Sequence, residues 1–452
     1  METQEPRRPA VVLAADVNGL GVVRSLHAAG VPTIAVATDA GDPVLRSRLP
    51  IGKWLVPAGA DPRQALLDTL TLVAGERQAL IPTSDAYVAF MLQHRDVLAR
   101  HFAFCLPPTE LGQRLLDKQS QAELVRALGL PMPATVLQLK APRDERLERL
   151  ELPIIFKPRS YADRKQLGRK NVVVRTARER DRFLTRHAPI LSGLVAQEVV
   201  PGEDDQLWVC HCTFDRDHAL VGAFTFRRLG LAPAHFGVTS YGVSQLNEKV
   251  VELSAQLGRA LRYVGPAMIE WKRDARDSRY KFIELNPRLG MCNALDTRCG
   301  VKSVVDAYQL ALGERPAGTP GRQRDRVMFL SLFDDLDSKR SEGVGLVASL
   351  RGYLRHLGRP HVGAYFAWND LGPAGAVAWR EVGTALRNLG RRLGPPARIA
   401  EIVPLERSED AAVDERPLWS RLVAADGARE QLDEALRGDV RVVEAGQDVA
   451  LG

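Results

Sequence analysis

The sequence predicts an α/β N-terminal domain built on a parallel sheet, then a two-lobed α+β core and a C-terminal extension. Three observations carry this reading. A buried-type strand, a turn, a helix and a second strand succeed one another between Pro9 and Ala37, the pattern of parallel α/β structure. Two strand-like arms, Met268 to Lys272 and Phe282 to Arg288, flank a polar, turn-prone tip, which marks an antiparallel hairpin. The stretch Ala317-Gly318-Thr319-Pro320-Gly321-Arg322-Gln323-Arg324 reads as a linker between the core and the C-terminal extension.

In order along the chain, Pro9 to Ala15 is a strand, Asp16 to Gly21 a turn, and Val22 to Ala29 a helix closed by Gly30. Val31 to Ala37 is the second strand. Gly19-x-Gly21 is too short for a dinucleotide fingerprint, and only Asp39 stands near the place of its ribose acid. Ala79 to Asp85 is a later strand and turn. Residues 111–200 pattern as helix, strand, loop, strand and helix, a small lobe. Residues 201–315 hold strands, a helix from Glu248 to Leu261, the hairpin, and a helix from Val301 to Leu312. Residues 325–452 hold a strand, a basic helix near Ala348 to Leu357 and an arginine-rich helix near Val382 to Leu393, with no assignable pattern after Pro404. The chain thus divides into four units: residues 1–110, 111–200, 201–315 and 325–452.

Length and composition are those of a globular protein of several domains: 452 residues, 45% hydrophobic and 26% charged. No run approaches the roughly 20 apolar residues that span a bilayer, and the N-terminus lacks the apolar core of a signal peptide. Five scattered cysteines argue for reduced thiols and a cytoplasmic location. Cys210-His211-Cys212 lacks a second ligand pair at finger spacing and reads as core packing rather than zinc. The net charge of +7 suits anionic small molecules. Acids interleave with the bases, as from Arg143 to Arg149, so nucleic acid and membrane are not expected partners; a homo-oligomer is compatible with the composition.

The hairpin carries the chemistry. Folding about Asp277 sets Glu270 opposite Glu284, and alternation places Glu284, Asn286 and Arg288 on one side. Facing carboxylates repel unless a positive charge lies between them. A hard divalent cation completed by phosphate oxygens is the natural candidate; a solvated hairpin is the competing reading.

An acid on one strand and Glu-x-Asn-Pro-Arg on the next resembles the metal-binding hairpin of the ATP-grasp superfamily. Leu116-Asp117-Lys118, leading to Gly129-Leu130-Pro131-Met132-Pro133, is similar to the entry of that core. Pro153 to Pro158 resembles its lysine strand, and Gln197-Glu198-Val199-Val200-Pro201-Gly202 its adenine hinge. The match covers about residues 1–315. The glycine-poor Arg159 to Lys170, and Phe224-Thr225-Phe226-Arg227-Arg228, resemble the subgroup of D-aspartate ligases and carboxylate–amine ligases.

The resemblance implies ATP and Mg²⁺ as cofactors, and a carboxylate and an amine as substrates. Glu270, Glu284 and Asn286 would bind metal. Lys118, Lys157, Lys170, Gln197, Glu198, Val199 and Val200 would hold ATP, with one of Glu203, Asp204 or Asp205 at the ribose and Asp205 slightly favoured by spacing. Lys157 and Arg288 would act at the reacting phosphate, and Arg227 with Arg288 would hold substrate. Arg164, Lys165 and Lys170 would form a basic lid, or a solvated loop. His235 reads as a satisfied loop histidine rather than a base. The implied function is ATP-dependent ligation through an acyl phosphate; a nucleotide-binding module without catalysis, and a carboxylase with a separate carrier, are the alternatives.

Overall fold

The computed structural model describes residues 7–59, 61–139, 141–316, 323–393 and 441–442. The N-terminal strands β1 (Ala10–Ala14), β2 (Thr33–Ala37), β3 (Gly52–Leu55), β4 (Gln78–Pro82) and β5 (Phe102–Ala103) lie in the order β3-β2-β1-β4-β5, all parallel. Arg441–Val442 pairs with the outer edge of β3. The expected turn at Asp16 to Gly21 is instead the first part of a helix, Asp16–Ala28. Its glycines serve packing. A methyl group on Gly19 would come within 2.7 Å of Ala14, and one on Gly21 within 2.6 Å of Asn293.

The small lobe is a four-stranded antiparallel sheet, β6 (Thr135–Val136), β7 (Ile154–Pro158), β8 (Val172–Val174) and β9 (Leu194–Glu198), in the order β6-β9-β7-β8. The expected loop after the lysine strand contains a helix, Tyr161–Leu167. Ser160 and Asp163 form a capping box at its start, and Gly168, at φ 74°, ends it in the left-handed conformation.

The large lobe is built on β10 (Leu207–Phe214), β11 (Leu220–Ala232), β12 (Val238–Ser244), β13 (Gly265–Arg273), β14 (Tyr280–Asn286), β15 (Met328–Leu330) and β16 (His361–Gly363), in the order β14-β13-β10-β11-β12-β15-β16. One face buries Trp208, Cys210, Cys212 and Trp271 beneath the helix Glu248–Ala260. The other carries Val209, Phe226 and Met268 and leads to the cleft.

The chain beyond residue 325 therefore supplies two strands to this sheet. Of the expected linker, residues 317–322 lie outside the described residues, but its end is docked. Gln323 is buried and exchanges hydrogen bonds with the Thr225 backbone at 2.8 and 2.9 Å. The arginine-rich helix starts ten residues earlier than expected, at Gly372. The segment after Pro404 lies outside the described residues apart from Arg441 and Val442. Among the described residues, no helix is long and apolar enough to cross a membrane.

The segment before that helix is clamped to the N-terminal domain. Buried Asp370 accepts from Arg24 Nε at 3.2 Å, Ser47 Oγ at 3.0 Å and the Arg48 amide at 3.1 Å.

Candidate active site

A cleft of about 1260 Å³ runs between the small lobe, the large-lobe sheet and the N-terminal domain. Its floor is the hairpin β13–β14, in which Glu270 pairs with Glu284 and Met268 with Asn286, the register expected from sequence. The helix Lys118–Ala127 fixes the second arm. The Gln121 side chain donates to the Leu285 carbonyl at 2.7 Å and accepts from the Leu285 amide at 2.9 Å. That helix is itself started by Asp117, which accepts from the amides of Gln119 and Ser120. Asp117 also pairs with Arg159 at 2.8 Å, tying the end of the lysine strand to the same corner.

The facing carboxylates are each met by a cationic side chain of the protein itself, where a divalent cation was the expected counter-charge. Glu270 is buried and paired with Arg228. Glu284 lies 3.6 Å from Lys118 Nζ. Each carboxylate has two oxygens, and both residues line the cleft beside Asn286. Among the described residues no three or more His, Cys, Asp or Glu are grouped so that they alone could hold a metal ion. The donor set still fits Mg²⁺, which takes one or two carboxylates and draws the rest of its shell from phosphate and water.

Over the hairpin stand Lys118, Lys157 and Lys170. Burial lowers the pKa of Lys157 to about 8, with Lys118 adding repulsion. Burial likewise lowers Lys170 to about 8, against the pull of Glu284. For Glu284, burial alone would raise the pKa, but Lys118, Lys170, Lys157 and Arg288 together outweigh it and hold the carboxyl down at about 2. Lys157 Nζ donates to Gln197 Oε1 at 2.7 Å, and Gln197 Nε2 donates to Thr135 at 2.9 Å. Gln197 thus aims the lysine along the cleft. Arg164, Lys165 and Lys170 all line the cleft, from a helix and the turn after it rather than from a loop.

At the hinge, the Glu198 carboxylate accepts from the Glu151 amide at 2.9 Å and lies 3.5 Å from Arg276. The Val199 amide donates to the Pro153 carbonyl. Glu198 and the Val199 amide therefore shape the hinge, and Glu198, Val199 and Val200 all line the cleft.

Two expected residues face elsewhere. Asp205 pairs with Arg227 at 2.8 Å, and neither lines the cleft. The reason is strand parity. Arg227 is in register with Trp208, which pairs with Trp271 on the helix-covered face. Arg228 and Asp204 are the neighbours that line the cleft. Arg288 reaches across the cleft to the N-terminal domain, donating from Nε to Asp85 Oδ1 at 2.7 Å, and lies 3.4 Å from Asn286 Oδ1. His235 is held by Glu342 at 2.8 Å and by Asp204 at 3.3 Å.

Cys210 and Cys212 put their sulfurs 3.2 Å apart in the core, while His211 points to the opposite face and binds Asp296 at 2.9 Å. Alternation alone prevents these three from converging on one ion.

Sequence reasoning missed Arg228, Asp85 and Gln121. Arg228 differs from Arg227 only in parity, which the sequence does not set. Asp85 and Gln121 act across long sequence separations.

With this geometry in view, comparison with known proteins points the same way. Residues 231–317 match the model of the carbamoyl-phosphate synthase L chain, ATP binding domain. The D-aspartate ligase of Enterococcus faecium is 27% identical over 64% of this chain and 73% of its own length. Over these residues the chain is similar to an ATP-binding domain and to a D-aspartate ligase.

Solved structures share this fold at low identity. The biotin carboxylase domain of Hydrogenobacter thermophilus 2-oxoglutarate carboxylase, in complex with MgADP and bicarbonate, aligns at TM-score 0.55 and 15% identity, covering 72% of this chain and 74% of its own. N5-carboxyaminoimidazole ribonucleotide synthetase from Thermus thermophilus gives 0.52 and 17%, over 71% and 81%. L-amino acid ligase from Bacillus licheniformis gives 0.50 and 15%, over 68% and 75%.

Proposed function

We propose that this ATP-grasp enzyme is an ATP- and Mg²⁺-dependent ligase that joins a carboxylate to an amine, releasing ADP and phosphate. The observation that carries the reading is the apposition of Glu270, Glu284 and Asn286 to three lysines whose ammonium groups crowd one cleft. Such a cleft is complementary to a polyphosphate with its cation, and phosphoryl transfer asks the protein chiefly for position and charge.

Lys157, aimed by Gln197, and Lys118 and Lys170 hold phosphate oxygens. Glu270, Glu284 and Asn286 would hold Mg²⁺, which would supply charge neutralisation for the transferred phosphoryl group. The substrate carboxylate oxygen takes the γ-phosphoryl group and ADP leaves. The amine then attacks the acyl carbon of the resulting acyl phosphate, expelling phosphate and giving up a proton to form the amide. Arg288, on the boundary between hairpin and N-terminal domain, steadies the oxyanion of that second step. Val199 and Val200 contact the adenine, and Asp204 replaces Asp205 as the acid nearest the ribose. Residues 1–110 supply one wall of the cleft, 111–200 the lysine lobe and 201–315 the metal lobe.

The test is ADP release from ATP across a panel of amino acids and small diacids, followed by amine screening. Release that depends on one carboxylate, and is lost in Glu284→Ala with folding intact, supports the reading. Release independent of any carboxylate refutes it.

A further inference from the structure

We infer that the helix Leu346–Leu354 is a docking ridge for the same helix of a second copy of this chain. The docking does not depend on the proposed reaction.

This helix is inverted relative to ordinary packing. Its inward side offers Ser349, which is buried, and Tyr353, whose hydroxyl donates to Asp335 at 2.5 Å and whose ring meets Tyr241 at 5.7 Å. Its outward side carries Leu346, Val347, Leu350 and Leu354, and Leu357 in the turn after it. Val347, Leu354 and Leu357 are 66%, 61% and 72% exposed. Among the described residues nothing packs over this stripe, whereas single exposed apolar residues would need no explanation.

The spacing selects the partner. Val347, Leu350, Leu354 and Leu357 recur at intervals of three, four and three, the seam of a helix pair, with Val347 and Leu354 at one repeat position and Leu350 and Leu357 at the other. The turn continues the winding, since the Leu357 amide donates to the Leu354 carbonyl at 3.2 Å. A seam this narrow matches a facing helix rather than a lipid surface, which takes a broad apolar face. In a parallel pair, a valine in the first position with leucine in the other favours two strands.

Charge agrees with that arrangement. From Gly343 to His361 the chain has no acid and carries Arg351, Arg355 and Arg359. In a parallel pair Arg351 flanks the partner's copy of Leu346, so no like charges meet. An antiparallel pair would bring the two copies of Arg351 together. The seam is short, so the dimer is reversible and concentration-dependent.

Sedimentation velocity of the full chain over a range of concentrations tests this. The expected result is a monomer–dimer equilibrium weakened at least a hundredfold by Leu350→Glu or Leu354→Glu. Leu72→Glu, at an exposed leucine of the N-terminal domain, should leave it unchanged. Because charged variants can misfold, Leu350→Cys gives a second readout: mild oxidation should produce a disulfide-linked dimer that the wild type does not form. A chain monomeric at every concentration, or a dimer that survives the glutamate variants with Leu350→Cys uncrosslinked, overturns the proposal. A monomer would mean that the seam is covered from within the same chain.

Discussion

Glu270 and Glu284 stand directly opposite each other across β13 and β14, yet neither faces the other uncompensated: Arg228 holds the first and Lys118 approaches the second. The arrangement is a preformed balance of charge. Two cations of the protein keep the acids in place, and lysines above them await an anion.

That balance predicts proton uptake. Lys157 and Lys170 sit at about 8 in the free cleft, so at pH 8 roughly half of each is neutral by simple titration. Phosphate oxygens favour the charged form and raise both values. Calorimetry of Mg-nucleotide binding at pH 8, in two buffers of different ionisation enthalpy, should show net uptake of protons by the protein. The uptake should shrink in Lys157→Gln. Binding with no buffer dependence would contradict the placement of phosphate beside these lysines.

Removing the hairpin acid should abolish turnover without unfolding the protein. Glu284→Ala is expected to cost at least about 10²-fold in kcat, the scale seen when one charge-stabilising group is lost. Arg288→Ala should cost a similar factor and also weaken the contact to Asp85. Steady-state kinetics with a melting-temperature control checks both.

The same glutamate couples to acid stability. Its folded-state pKa of about 2 lies below the ordinary value of 4.5. The stability it contributes is therefore present above about pH 4.5 and is lost as pH falls toward 2. Glu284→Gln should flatten this part of the acid limb in pH-dependent unfolding; an unchanged limb would argue against the ion cluster.

Asp16 has the opposite sign. Burial first, then Asp42 and Asp334, raise its pKa to about 7. The folded state holds a proton that the unfolded chain releases above about pH 4, so stability falls as pH rises from 4 to 7. Asp16→Asn should raise the melting temperature at pH 8 and leave it nearly unchanged at pH 4. Asparagine also suits the left-handed backbone at this position, where φ is 51°.

Asp370→Ala removes the carboxylate from Arg24, whose side chain is only 10% exposed and which keeps acceptors at the Ala364 and Tyr365 carbonyls. Breaking a buried pair from one side costs about 3–5 kcal/mol. Denaturant unfolding should show a loss of that order, and a loss under about 1 kcal/mol would mean the clamp is no stronger than a surface pair.

The hairpin was legible because it depends on local rules: period-two alternation and a polar tip fix which acids face each other. The lysine strand and the helix begun by Asp117 were legible through their resemblance to the ATP-grasp core. Arg227 and Arg228 were not separable, because their faces are set by pairing with β10, far away in sequence. The glycines at positions 19 and 21 suggested a turn, since their packing against Ala14 and Asn293 exists only in the folded chain. The segment after Lys157 read as a loop because its charge concealed a capping box.

The most direct measurement is a crystal structure with Mg²⁺ and a nonhydrolysable ATP analogue. The expected result is a cation about 2.0–2.1 Å from oxygens of Glu270, Glu284 and Asn286, with the terminal phosphates beneath Lys157 and Lys170 and the base at Val199 and Val200. An analogue bound outside this cleft, or a cation that leaves both glutamates untouched, would overturn the assignment of the metal site.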